Sequence, residues 1–142
     1  MKRLALIGFA LALSACSDST GPKNVNVAGS WTYSVTNLVG GGLSCNTGGT
    51  TVTITQSGTT FSGTYTGGTL SCNSLGDFAI GTGTVANGTV SDNAVAFDFD
   101  TQDWANTGSA SGNTISGTAT VRLVTSSNQT IILTGNFSMV KR

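Results

Sequence analysis

The side chains able to do chemistry in this 142-residue chain are few: three cysteines, six aspartates, six lysines and arginines, and neither histidine nor glutamate. General acid–base and nucleophilic catalysis need a group whose pKa can be tuned to the working pH. Without histidine or glutamate, and with no lysine inside a strand-like segment, the sequence argues against an enzyme. A glycosidase needs only two carboxylates, and Asp98, Asp100 and Asp103 are the densest acidic group. Asp98 and Asp100 fall on the outward face of one predicted strand, about 7 Å apart by strand rise, with Asp103 in the following turn. Calcium asks for six to eight oxygens from a loop that wraps the ion, so these aspartates read as a solvated acidic edge. Cys45 and Cys72 stand in matching contexts, Leu43-Ser44-Cys45-Asn46 and Leu70-Ser71-Cys72-Asn73, but no CxxC spacing exists. Zinc is not expected, and neither is a cofactor.

The elements that would position these residues are strands. Glycine and threonine abound, which suits turns and strand surfaces respectively. Apolar residues alternate with polar ones in one segment after another: Trp31/Tyr33/Val35, Val52/Ile54, Phe61/Gly63/Tyr65, Val95/Phe97/Phe99, Ile115/Gly117/Ala119/Val121/Leu123 and Ile131/Leu133/Gly135/Phe137/Met139. Period two is the mark of a strand with one buried face. Weaker segments at 82–91 and 104–110 bring the predicted count to eight, with no helix. Two-residue turn signals at Ser57-Gly58, Asp92-Asn93 and Gly112-Asn113 join successive strands. In an up-and-down meander these tight turns share the end where the chain enters. The long connections, 37–49 and 67–77, share the far end. The expected fold is all-β: a single eight-stranded antiparallel meander closed into a barrel, which removes exposed edges. A β-sandwich of the same strands is the alternative.

The N-terminus has its own pattern. Met1-Lys2-Arg3 is positive, and an apolar run from Leu4 to Leu13 is too short to span a membrane as a helix. Leu13-Ser14-Ala15-Cys16 then resembles the bacterial lipobox, which implies cleavage before Cys16 and acylation of its thiol and freed amine. The predicted organisation is a signal peptide over 1–15, a lipidated, flexible tether over 16–27 and a domain over 28–142. Ser17 after the cysteine resembles the outer-membrane sorting pattern of lipoproteins. The resemblance therefore implies a bacterial cell-envelope location, anchored in the membrane through Cys16. Lipidation of Cys16 leaves Cys45 and Cys72 in an oxidising compartment with only one intramolecular pairing. A bridge closing a loop of about 28 residues contributes roughly 3 to 4 kcal/mol. Past residue 15, four basic side chains face six aspartates, so no basic field exists for nucleic acid.

Gly29-Ser30-Trp31 resembles the G-x-W signature of the calycins (lipocalins and avidins), and Ser62-Gly63-Thr64-Tyr65 resembles the third strand of avidins. The resemblance implies a barrel that binds a small molecule at its open end, with Tyr65 in the place of a binding tyrosine. It also implies a basic residue after the last strand, Lys141 or Arg142, packed over Trp31. Biotin does not fit: Tyr33 stands where avidins carry asparagine, and the final strand holds no aspartate. Tyr65, Phe99 and Trp104, with Asn37 and the loop amides Asn46 and Asn73, are the candidate lining for a small apolar or glycan-like ligand. A non-catalytic envelope protein with a filled core, working through its distal loops, is the competing expectation.

Overall fold

In the computed structural model, which describes residues 23–100 and 103–142, every regular element is a strand. The strands are β1 (Gly29–Gly40), β2 (Leu43–Gly48), β3 (Thr50–Ser57), β4 (Thr60–Thr66), β5 (Thr69–Cys72) and β6 (Gly76–Ala79), followed by β7 (Thr82–Ser91), β8 (Ala94–Phe99), β9 (Trp104–Ser111), β10 (Thr114–Val124) and β11 (Thr130–Lys141). Eight of them close an antiparallel ring in the order β1-β3-β4-β7-β8-β9-β10-β11. Pairing of β11 with β1, from Trp31↔Lys141 to Val39↔Thr134, seals the ring and excludes a sandwich. Apart from interruptions at Thr36/Val39, Phe61/Gly63 and Ala86/Thr89, the registers are regular. The signal peptide and Cys16 lie outside the described residues.

The three tight turns fall together as the turn chemistry predicts, with left-handed backbone at Gly58, Asp92 and Gly112. The chain enters at that end, where the Val25 amide donates to the Asp92 carbonyl (2.8 Å). Residues 24–27, expected as flexible tether, are docked instead. Val27 is fully buried beneath Trp31, whose indole N–H donates to the Val27 carbonyl (2.9 Å). Gln56 bonds the amide of Val27 and the carbonyl of Val25. An apolar residue at the barrel's base closes it against water, which outweighs the entropy of a free tether. Lys141 places its ammonium 5.4 Å from the Trp31 ring centre, as the resemblance implies.

The far end corrects one expectation. The stretches 37–49 and 67–77 are largely strand, not loop: β1 runs to Gly40, β2 pairs its upper part, and β5 and β6 continue the sheet. The segments β2–β3, β4–β5 and β6–β7 are therefore three strands, each bent where it leaves the ring. The bends are Gly49, Gly67-Gly68 and Gly81, all in left-handed backbone. They lie side by side, because the Gly67 amide donates to the Gly81 carbonyl (2.8 Å). At Gly68 a Cβ would sit 2.1 Å from the Thr50 hydroxyl, so that position of the crease has no room for a larger residue. Above the crease, β2, β5 and β6 form a flap outside the ring. Cys45 and Cys72 are directly opposed across β2 and β5 and form a disulfide.

Candidate functional site

The inward faces of the ring strands meet in a packed aromatic core. Tyr33, Tyr65, Phe97, Phe99, Trp104 and Phe137 are all buried. Tyr65 and Phe99 have ring centres 4.3 Å apart, Tyr33 and Phe99 5.0 Å, and Phe99 and Trp104 6.0 Å. The structure thus brings Tyr65, Phe99 and Trp104 together, but as core with at most 2% exposure. The inward glycines make no room either. A Cβ on Gly63 would lie 2.0 Å from the Thr53 carbonyl oxygen, and one on Gly117 2.1 Å from that of Thr107. Those sites are occupied by backbone of the neighbouring strands. Asn37 stands apart from the trio, exposed and left-handed, and its backbone N–H donates to Asn46 Oδ1 (3.1 Å). Asn73 likewise accepts from the Ser44 amide (3.2 Å), holding the flap together.

Polar groups inside the barrel are few. The Tyr33 hydroxyl donates to Asn106 Oδ1 (2.7 Å), and Asn106 Nδ2 donates to the Phe97 carbonyl at 3.5 Å. Burial pushes the Tyr33 phenol well above its ordinary value, and the Trp104 indole beside it acts in the opposite direction. Among the described residues, the Trp104 N–H and the Thr50 hydroxyl are buried without a hydrogen-bond partner. None of this is arranged as a nucleophile with its base.

Hollows on the surface are of two kinds, acidic and apolar. One, of about 420 Å³, lies outside the β8–β9 connection and holds the three aspartates. Each carboxylate has its own partner. Asp98 accepts from Asn87 Nδ2 (2.8 Å), Asp100 from the Thr84 amide (2.9 Å) and hydroxyl, and Asp103 faces Arg122 at 3.4 Å. Among the described residues no three metal-ligating side chains converge.

The other hollow is an apolar groove of about 540 Å³ at the far end. One wall is the flap, with Leu43, Leu70, Leu75, Phe78 and Ala79; the other is the β10–β11 tip, with Leu123, Val124 and Ile131. Among the described residues only Thr125 and Ser126 add hydroxyls, and no charged side chain lines it. The flap is two-faced for a simple reason. Leu43, Cys45 and Thr47 share a face of β2, and pairing carries that face to Leu70 and Cys72 on β5 and to Phe78 on β6. Ser44, Asn46, Ser71 and Asp77 take the solvent face. Leu75, Phe78 and Val124 remain 51%, 46% and 60% exposed, so part of this apolar surface is uncovered. Sequence reasoning missed the groove because it read 67–77 as loop. The available signal was Leu70, Leu75 and Phe78, large apolar residues inside an otherwise Gly/Ser/Asn-rich stretch. Comparison with protein-family models, with curated proteins and with solved structures returns no match to this chain.

Proposed function

We propose that this protein is a non-catalytic, lipid-anchored module of the bacterial cell envelope that engages a protein partner through the apolar groove at the end farthest from its anchor. The observation that carries the reading is a contrast. The barrel interior is filled by its own aromatics, whereas Leu75, Phe78 and Val124 stay half-exposed around an uncharged groove. Apolar surface left open beside a polar exterior marks an interaction site. The anchor at Cys16 would enter through the tight-turn end, where residue 25 docks, leaving the groove directed away from the membrane. A second reading keeps the same groove for a small apolar ligand, favoured by its volume, which falls in the range of small-molecule sites.

The test is photo-crosslinking in living cells, with the full-length protein carrying the reactive group at position 75, 78 or 124, or at 62 on the outer barrel face as control. Discrete adducts of polypeptide size from the groove positions, absent from 62, are expected. An adduct of small-molecule mass favours the second reading. Equal labelling from groove and control positions refutes a site in the groove.

A further inference from the structure

Among the described residues the sheet above the crease is open, and β6 is its end strand. We propose that this edge and the groove together receive one extended segment of a protein partner, which adds to β6 as a further strand. The inference rests on the groove being the interaction site, and it specifies the partner's form.

The Ile80 amide donates to the Gly68 carbonyl at 3.1 Å, so it is turned towards the β5 side. Strand alternation turns Phe78 the same way, and Asp77 and Ala79 the opposite way. Two N–H and two C=O groups therefore lie along the free edge, and β6 is exposed at all four residues. An acyl chain or other apolar molecule offers nothing to those groups, whereas a strand satisfies them.

Phe78 is paired with Leu70, on the face that lines the groove. Every second residue of an added strand would share that face and pack on Phe78, Leu75 and Val124. The occupant is thus an alternating apolar/polar segment, only four to six residues long because β6 itself is four.

Asp77 lies on the solvent face opposite Ser71, and the one ion pair among the described residues is Arg122–Asp103. The residue of the incoming strand facing Asp77 is best a lysine or arginine. The same carboxylate disfavours a second copy of this chain. Antiparallel β6–β6 pairing about a two-fold axis would set two Asp77 side chains opposite or diagonal on one face, and like charges there repel.

The probe is an end-blocked octapeptide of alternating valine and threonine with one central threonine replaced by lysine, added at millimolar concentration to the full-length protein in lipid nanodiscs. Hydrogen exchange is expected to slow at 76–79. N-methylation along one edge of the peptide should abolish the effect, and along the other edge should spare it. Replacing the peptide lysine by glutamate should weaken binding about two- to five-fold, and Asp77→Lys should reverse that preference. Because backbone pairing and alternate valines need no further sequence match, no protection at 76–79 overturns the proposal. If 1-decanol occupies the groove while the peptide gives no edge protection, the strand is wrong and the groove reading survives in its small-ligand form. Binding of neither probe sinks both. Protection that grows with protein concentration alone would replace the partner by a second copy.

Discussion

Replacing both Cys45 and Cys72 by alanine should destabilise the whole barrel, not only the flap. The bridge joins β2 to β5, both outside the ring, yet the loop it closes contains the ring strands β3 and β4. With a sequence separation of 27, cross-linking lowers the unfolded chain's entropy by about 12 cal/mol/K, or about 3.6 kcal/mol at 25 °C. Both cysteines are buried, so small voids add to the loss. A domain of about 120 residues has an unfolding entropy near 0.25 kcal/mol/K, which converts the loss to a fall of about 14 °C in Tm. Thermal melts followed by near-ultraviolet circular dichroism report the packed aromatics of the ring. Hydrogen exchange over 61–65 reports β4. A midpoint within about 3 °C of the parent, with exchange at 61–65 unchanged, would refute the reasoning: flap and ring would then unfold separately.

Four further substitutions have definite expected outcomes, three of them read from the geometry and one from the N-terminal sequence. Gly63→Ala should cost about 1–3 kcal/mol in denaturant titrations, because its Cβ meets the Thr53 carbonyl oxygen at 2.0 Å. Gly48→Ala, with open space around it, should change stability by less than about 0.5 kcal/mol. The raised pKa of Tyr33 leaves its contribution intact below the unfolded value near 10 and removes it as pH rises towards the folded value, at about 1.4 kcal/mol per pH unit in between. Tyr33→Phe should abolish that alkaline dependence in melts across pH 9–11, while costing about 1–3 kcal/mol at neutral pH by stranding Asn106 Oδ1. Cys16→Ala should abolish metabolic acyl labelling and release the protein from the membrane fraction; unchanged labelling would refute the anchor.

The ring strands were legible in the sequence because side-chain alternation is a local property. Trp31/Tyr33/Val35 and Phe97/Phe99 point inward wherever the strand lies, since successive residues of any strand take opposite faces. Turn chemistry at Gly58, Asp92 and Gly112 was equally local, and with successive strands paired in a meander it puts the tight turns at one end. The disulfide followed from the inferred lipidation of Cys16 and the two cysteines it leaves.

Tertiary structure alone decided the rest. Whether Tyr65, Phe99 and Trp104 line a mouth or fill a core depends on which side chains arrive at their level from the other strands, and Tyr33 and Phe137 arrive there. Closure of β11 on β1 joins residues about a hundred positions apart, beyond the reach of any local pattern. The crease glycines look like loop punctuation in sequence; only cross-strand pairing of Leu43–Gly48 with Thr69–Cys72, and of the latter with Gly76–Ala79, makes them bends in continuous strands. The groove exists because those bends carry one sheet edge past the ring, towards the β10–β11 tip, with no strand among the described residues to close it.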